Sequence, residues 1–376
     1  MGGYNFGGGT LRINNTRATT AEKCMRKFFW NYEFNGTGIK LPDQHVVKKK
    51  IDYAGEPNPL SLGQLIHYYL ANHYAGVDNP DHNAIAKSQE DIGFASLDHE
   101  DRNVWLDWYE WLERVAKEYN RTYPQEEFSV IQLETEGSVP LGDVCYKCGK
   151  EYSLPTPTEF CLNCSAPIFH YVFRIDLVTN THGHIEVWDH KSTKSLGDDY
   201  LASWEHSMQM WGYCYGQEKA TGMKVDGYVM NFIRKLKTIG DPKASLKQCP
   251  TCRNGSKKRI GCPTCGGEGQ VERTYKPQEQ PFQRFHHDWN PERAERFVRQ
   301  RITTCRRIEE NIFQSEPDRA WPCNPAQCHN MGRCPYINLC FKGDPEKWYE
   351  PDDLLLERYE PQEPDYVDKL AKEEIV

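Results

Sequence analysis

Three charged side chains in the middle of the chain have the types and spacing of a cation site with a lysine beside it. Asp189 and Lys191 are two residues apart in HIEVWDHKST, and Asp176 precedes them in FRIDLVTNT. Both segments alternate as strands do, and residues 180–183 between them have turn chemistry. Because strand side chains alternate, Asp189 and Lys191 share one face, and a hairpin brings Asp176 beside them.

This arrangement predicts a hard-oxygen site for a divalent cation. Two neighbouring carboxylates suit Mg²⁺ or Mn²⁺, and an adjacent ammonium can orient a water and stabilise charge on a phosphate. Asp-x-Lys alone is a weak signal, since residues 241–243 also fit it, and we interpret that copy as accidental. The alternative for Asp189 and Lys191 is a surface ion pair, so the surrounding elements decide between the two.

Those elements predict an α/β protein with a central mixed sheet flanked by helices. Helices are predicted over 19–32 (with Thr20 as N-cap), 62–74, 99–119, 201–218 and 291–313. Strands are predicted over 128–139, 168–179, 184–190 and 227–233. The first three strands form a mostly antiparallel meander, which a helix and one more strand follow. Two cysteine-rich insertions interrupt this core.

Three further motifs resemble those of the PD-(D/E)XK nucleases of the RecB helicase family. The letters STK after Lys191 resemble the "DxKT" strand end of these nucleases. Gln209 and Tyr213 lie four apart on one helical face and resemble the family's Q-x3-Y motif, which helps hold the DNA end near the metal. The segment LGQLIH, ending at His67, resembles the upstream helix whose histidine faces the metal. The motif order of the family is the order here: His67, Asp176, Asp189, Lys191, Gln209, Tyr213.

The resemblance covers residues from about 19 to 340 and implies a restriction-endonuclease-like fold that hydrolyses phosphodiester bonds. It assigns a Mg²⁺ or Mn²⁺ site to Asp176, Asp189 and His67, and activation of the attacking water to Lys191. Glu134, on the strand before Asp176, is a fainter candidate. A solvated strand edge is the alternative there, because another glutamate two residues on shares its face.

Without a Walker loop, the chain resembles phage or bacterial recombination exonucleases and the nucleases of CRISPR adaptation. The resemblance implies an exonuclease in DNA recombination, repair or phage replication. Its implied partners are DNA, single-stranded or with free ends, and a recombination or replication protein. Two alternatives stay open: a zinc-rich nucleic-acid-binding protein without catalysis, and a structure-specific endonuclease.

Fifteen cysteines indicate metal sites rather than disulfides in a chain expected to be cytoplasmic. Two insertions each carry two Cys-x2-Cys pairs, which is a tetrahedral zinc pattern. The predicted ligands are Cys145, Cys148, Cys161 and Cys164 in a zinc ribbon, and Cys249, Cys252, Cys262 and Cys265 in a second module that resembles a DnaJ-type half-site. A redox cysteine pair is the alternative. Since neither insertion can bury a core, zinc would supply its folding energy.

The remaining cysteines resemble the [4Fe–4S] site with which some members of the family tie their two ends together. The resemblance assigns the cluster to Cys24, Cys328, Cys334 and Cys340. The spacing departs from that of helicase–nuclease relatives, because the first two C-terminal ligands are six residues apart. Cys323 is a spare thiol, and a local zinc site that uses Cys323 in place of Cys24 is the alternative. Cys214 and Cys305 are predicted to be buried thiols.

Charge and hydropathy restrict the partners. The net charge is −8, and residues 344–376 alone account for it, so the body of the chain is neutral overall and can carry a basic groove. Residues 293–307 form a basic helix, and residues 253–259 a basic cluster; a solvated face is the alternative for the helix. The sequence has no long apolar run and no signal pattern, which predicts no membrane contact.

These observations divide the chain into a nuclease domain over 1–343 and an acidic tail over 344–376. The predicted zinc insertions occupy 141–168 and 244–275, and a C-terminal cysteine lobe occupies 317–343.

Overall fold

The structure is a computed structural model that describes residues 11–33, 39–40, 59–152, 160–194, 196–239, 246–249, 251, 262–265, 270–272, 280–312, 321–328, 334–336, 340 and 360–361. Its elements in chain order are β1 (Arg12–Ile13), α1 (Asn15–Lys23), α2 (Met25–Phe28), β2 (Ile39–Lys40), α3 (Pro59–Tyr74), α4 (Pro80–Ile92), α5 (His99–Thr122), β3 (Ser129–Pro140), β4 (His170–Thr181), β5 (His184–Thr193), α6 (Asp198–Glu205), α7 (Met208–Thr221), β6 (Gly227–Arg234), β7 (Leu246–Gln248), β8 (Gln270–Glu272), β9 (Phe282–Asp288), α8 (Pro291–Ile312) and β10 (Glu360–Pro361).

The main sheet is mixed, as the sequence predicts. Strand β3 pairs antiparallel with the whole length of β4, and β5 pairs antiparallel with the C-terminal part of β4. Strand β1 pairs parallel with the N-terminal part of β4. β6 lies parallel to β5, and β9 closes the sheet antiparallel to β6. Helices α6 and α7 connect β5 to β6, since a parallel pair needs a crossover connection.

Helices cover both faces of the sheet, which therefore has two cores. On one face α1, α2, α7 and α8 pack on residues such as Tyr171, Phe173 and Ile175. On the other face α3, α4 and α5 pack on Leu177 and Trp188. Ile175 and Leu177 contribute to different cores, so the regular alternation of β4 is interrupted between them. The interruption falls at Asp176.

The first predicted helix differs from the one observed. Helix α1 begins four residues before position 19, because Asn14 is its N-cap and accepts a hydrogen bond from the Arg17 backbone at 2.8 Å; Thr20 therefore is not a cap. The helix ends at Cys24, whose backbone is extended (φ −160°, ψ 107°). After α2, a π-helical turn over Phe29–Glu33 completes the segment.

Other elements also depart from the prediction. The helix expected over 201–218 is two helices, because Ser207 starts α7 by accepting a hydrogen bond from the Met210 backbone. Helix α4 and strand β9 were not predicted. Strand β9 lacks a clear alternation, since among its residues only Phe282 is buried.

Two glycines let α7 lie directly on β4. A Cβ atom at Gly212 would stand 2.2 Å from the Tyr171 hydroxyl, and one at Gly216 would stand 2.4 Å from the Phe173 ring. The two glycines are four residues apart, so they share the helix face that meets the sheet. Any larger residue would force the helix away from the strand that carries Asp176.

We expect Gly212→Ala and Gly216→Ala each to lower the free energy of unfolding by about 1–3 kcal/mol, the usual cost of overpacking. Gly197→Ala is the control, because its Cβ would meet no atom within 4 Å; at this helix N-cap alanine should cost less than about 1 kcal/mol. Urea unfolding followed by circular dichroism measures the difference. Equal losses at all three positions would contradict the close-approach explanation.

Candidate active site and metal centres

Helix α3 and strands β3 and β4 bring three ligand-type side chains together. One ligand atom from each of His67, Glu134 and Asp176 lies within 4.8 Å of the others. His67 Nδ1 is 3.5 Å from Asp176 Oδ2, and the histidine is partly exposed while Asp176 is buried. The same Oδ2 accepts a hydrogen bond of 2.7 Å from the His190 backbone N–H, which ties β4 to β5 at this point.

Asp189 and Lys191 lie beside this group on β5. Lys191 Nζ is 2.5 Å from Asp189 Oδ2, and the carboxyl group is almost fully buried. The ammonium also lies over the Trp204 ring, 5.4 Å from its centroid. Asp189 is not part of the three-residue group, because its oxygens face Lys191 and Gln209. The sequence places Asp189 among the ligands and gives Glu134 a lesser rank, whereas the geometry puts Glu134 nearer to His67.

Helix α7 supplies the two motif residues that follow. Gln209 Nε2 donates to the Tyr213 hydroxyl at 2.7 Å and approaches Asp189 Oδ1 at 3.5 Å. Burial raises the pKa of Tyr213 well above its usual value, and the Asp189 carboxylate adds to the rise. Tyr213 therefore stays a neutral hydroxyl. The structure thus brings all six predicted active-site residues into one region.

Glu134 occupies a strained position. Its φ of 46° lies in the left-handed region, which non-glycine residues rarely adopt. It stands opposite Asp176, between the pairs Leu133↔Leu177 and Thr135↔Ile175. Its carboxylate accepts hydrogen bonds from Arg174 at 2.9 and 3.2 Å. Both strands are thus irregular where the carboxylates meet.

The surroundings of the site disfavour the ionised form of Asp176 and favour the charged form of Lys191. Burial raises the pKa of Asp176 to about 6, and the Asp189 carboxylate adds to the rise. Burial alone would lower the pKa of Lys191, but the Asp189 and Asp176 carboxylates outweigh it and raise the pKa above its usual value. Lys191 is therefore an ammonium at neutral pH, and a cation between the carboxylates would relieve their repulsion.

A hydrogen-bonded network that the sequence does not reveal supports β5 on the face opposite to Asp189 and Lys191. His190, between Asp189 and Lys191, points to the opposite face, where the Asn231 side chain contacts its Nδ1 at 3.0 Å. Asn231 also donates to the Tyr119 hydroxyl at 2.9 Å. Burial lowers the pKa of His190 well below its usual value, so the imidazole is neutral.

Arg284 anchors the far end of this network. Its guanidinium donates to Tyr119 at 2.9 Å and binds Glu126 with contacts of 2.6 and 2.8 Å. It also lies over the Tyr123 ring at 3.5 Å. No local signal identifies Arg284, because its strand β9 has no recognisable pattern and Glu126 is 158 residues away.

The four sulfurs of the first cysteine module lie close enough together to bind one metal ion. Cys145 Sγ and Cys164 Sγ are 3.6 Å apart, and Cys148 Sγ and Cys161 Sγ are 3.7 Å apart. Four sulfurs at about 2.3 Å from one tetrahedral zinc stand about 3.8 Å from each other. In both halves, the residue after the second cysteine is left-handed, Gly149 with φ 71° and Ser165 with φ 55°. The thiols thus fit a single zinc ion.

This ribbon is fixed to the body of the protein. Tyr146 stacks on Phe169 with centroids 4.6 Å apart. Its hydroxyl donates to the Glu309 carboxylate on α8 at 2.7 Å. These contacts hold the ribbon, which is inserted between β3 and β4, against the rest of the protein.

The second module is described in part. Cys249 Sγ and Cys262 Sγ are 3.8 Å apart, and Cys265 belongs to the same group. Strands β7 and β8 pair at its base. The fourth predicted ligand, Cys252, lies outside the described residues, as do the basic cluster over 253–259 and the Asp-x-Lys copy over 241–243.

The N-terminal helices meet the C-terminal cysteine lobe through Arg26. Its guanidinium donates to the carbonyl oxygens of Trp321 at 2.9 Å and Cys340 at 3.3 Å. Phe29 stacks on Trp321 with centroids 5.1 Å apart. Cys24, at the break between α1 and α2, is buried at this junction.

The thiols of this lobe lie close to one another and to Cys24. Burial, together with the Cys24 and Cys328 thiols, raises the pKa of Cys323 to about 11. Burial and the Cys323 thiol raise the pKa of Cys340 to about 12. The spare Cys323 therefore lies among the four predicted ligands.

Comparison with known proteins yields one family. A family model described as the PD-(D/E)XK nuclease superfamily matches residues 12–341. No curated protein matches the chain significantly. None of the helices in the described part of the chain is long and apolar enough to cross a membrane.

We expect Arg284→Met to lower the free energy of unfolding by about 3 kcal/mol, because it leaves the Glu126 carboxylate poorly solvated and unpaired. The matched control is Arg296→Met, which breaks a pair with Glu292 in which both side chains are exposed and should cost less than about 1 kcal/mol. Denaturant unfolding of the two variants measures the contrast. Similar losses would mean that the network does not support the sheet.

Proposed function

The chain belongs to the PD-(D/E)XK nuclease superfamily, which implies a metal-dependent nuclease that acts on DNA, and from this premise we propose that it is a Mg²⁺- or Mn²⁺-dependent exonuclease. The proposal includes the RecB-like subtype and a role in DNA recombination, repair or phage replication, in the cytoplasm of a bacterial or phage-infected cell. The observation that carries the proposed chemistry is the apposition of Asp176, Asp189 and Lys191 on adjacent strands.

The donor set fits a hard divalent cation. Asp176 and Glu134 offer carboxylate oxygens, His67 offers an imidazole nitrogen, and Asp189 offers a second buried carboxylate. The raised pKa of Asp176 fits as well, since burial and the Asp189 carboxylate disfavour its charged form more than His67 and Lys191 favour it. A divalent cation held there would supply the charge that polarises the scissile phosphate.

The protein side chains divide the remaining work. Lys191 is charged, so it cannot accept a proton; it orients the attacking water and stabilises the negative charge that develops on the phosphate. Asp189 holds the ammonium in place through the 2.5 Å contact. Gln209 and Tyr213 present an amide and a neutral hydroxyl beside Asp189, where they can hold the terminal nucleotide.

We assign zinc to the two inserted modules and an iron–sulfur cluster to the junction of the chain ends. The sulfur spacing of the ribbon supports zinc. The proximity of Cys24 to the C-terminal thiols supports a cluster at the junction, with Cys24, Cys328, Cys334 and Cys340 as ligands.

We expect Lys191→Ala to reduce DNA cleavage by about 10²-fold or more, the scale for removing one charge-stabilising group, with DNA binding retained. Lys219→Ala is the control, since it removes a lysine of an exposed pair with Asp143. Labelled linear and circular DNA, single- and double-stranded, incubated with Mg²⁺ or Mn²⁺, measure the rates. Cleavage of circular DNA would indicate an endonuclease, and a fully active Lys191 variant would remove this lysine from the mechanism.

Anaerobically purified protein should be brown and contain roughly four iron atoms and two zinc ions per chain. Cys24→Ala should remove the colour and the iron, because it takes away the one ligand that lies in the N-terminal segment, whereas Cys323→Ala should retain both. Cys161→Ser should remove one zinc ion and spare the iron. Metal analysis and visible absorbance measure these contents. A colourless protein with three zinc ions, one of them lost in Cys323→Ala, would favour the local zinc site.

A further inference from the structure

A groove of about 720 Å³ lies between α1, the first turn of α7, and α8. We call it the α8 groove. It does not contain the carboxylates of the active site. Its lining residues are Glu22, His206, Trp211, Arg296, Arg299, Gln300, Thr303, Thr304 and Arg307.

The charge of the groove is positive. Arg296, Arg299 and Arg307 are exposed along it. The acidic lining residue, Glu22, is already neutralised, because its Oε1 accepts from the fully buried Arg301 at 2.8 Å and from Thr304 at 2.9 Å. An anion that enters the groove therefore meets three guanidinium groups and no free carboxylate among the lining residues.

Two of these arginines can exchange their glutamate partners for a phosphate. Arg296 pairs with Glu292 at 2.7 Å, and Arg299 pairs with Glu295 at 3.8 Å, and both pairs are exposed i,i+4 contacts on α8. Pairs of this kind contribute little, because solvent screens them. A phosphate, which offers bidentate geometry to a guanidinium, can replace the glutamates at small cost.

The donors on α8 form a row. Positions 296, 299, 300, 303 and 307 are spaced by three or four residues or lie next to each other, so they face the same way. From the first to the last, the helix rises roughly 16 Å. A row with a donor on each turn suits a ligand with a repeated anionic group rather than a single ion.

The groove begins at the helical turn of α7 that also carries Gln209. Its aromatic wall is made by His206 and Trp211, with ring centroids 6.3 Å apart, at the start of α7. Gln209, between them in the sequence, reaches Asp189 on the other side of the same helical turn. A strand leaving the carboxylates can therefore pass the start of α7 and enter the groove.

We propose that the α8 groove binds the sugar–phosphate backbone of a single DNA strand that extends from the catalytic carboxylates. The inference rests on the proposed nuclease function and adds a second binding region to it. A concave, positively charged groove with aromatic side chains at its wall suits a single strand. Recognition of duplex DNA instead uses a protruding helix or β-ribbon that enters a groove of the DNA. Arg299 and Arg307 are the principal phosphate contacts.

The test compares two double variants that remove the same charge. Arg299→Ala/Arg307→Ala changes the groove, and Lys87→Ala/Arg121→Ala changes exposed residues that do not line it. Both are made in the full chain in the Lys191→Ala background, so that a fluorescent oligothymidylate stays intact during titration. Circular dichroism verifies that each variant is folded, as expected for exposed side chains.

The groove variant should bind the oligothymidylate about tenfold more weakly at moderate salt. Its plot of log affinity against log salt should flatten by about 1.4, which is two single-strand phosphate contacts at about 0.7 each. The control variant should match the parent. An unchanged slope in the groove variant would overturn the proposal, and so would a larger loss for a blunt duplex than for the single strand, which would assign the groove to duplex DNA.

A second readout separates this inference from the proposed function. With Lys191 restored, the groove variant should raise KM for the oligonucleotide about tenfold and leave hydrolysis of bis(p-nitrophenyl) phosphate unchanged, because this small diester does not reach the groove. If the wild-type protein cleaves neither substrate, the nuclease proposal fails, while the salt dependence of binding still reports on the groove. Reduced hydrolysis of the small diester would contradict a role confined to strand binding.

Discussion

Two carboxyl groups buried side by side impose the constraint on which the rest of this structure depends. Asp176 is 8% exposed and Asp189 is 2% exposed, and two such groups repel each other in their ionised form. Three groups contact these carboxyl groups and offset the repulsion: the Lys191 ammonium, the His67 ring and the His190 backbone N–H. Each contact compensates part of the cost, and a bound cation would supply the remainder.

The fold is shaped around that constraint. Strand β4 loses its regular alternation at Asp176, and Glu134 on the neighbouring strand adopts a left-handed backbone. Strain of this kind persists only where the surroundings hold it in place. The close packing of α7 on one face and the network from Arg284 to His190 on the other provide that support. The two faces of the sheet thus fix the same few backbone atoms from opposite sides.

The sequence revealed what depends on neighbours along the chain. The positions of Asp189 and Lys191 follow from strand alternation, and those of Gln209 and Tyr213 from one helical turn. The cysteine pairs are equally local. The Arg284 network could not be predicted, because its partners come from an edge strand without a pattern and from a helix more than 150 residues away. The interruption of the helix at Cys24 could not be predicted either, because it depends on contacts with the C-terminal lobe.

The contacts of Arg26 have a consequence for biosynthesis. Its side chain binds the carbonyl oxygen of Cys340, which is 314 residues later in the chain. At about 5–20 residues per second, a ribosome needs roughly 15–60 s to make that intervening length. Throughout this interval, the apolar side chains of α1 and α2 lack Trp321 and Tyr336, with which they share a core. Helices α1 and α2 therefore find these native partners long after they are synthesised, and a nascent chain must keep them from aggregating during that interval.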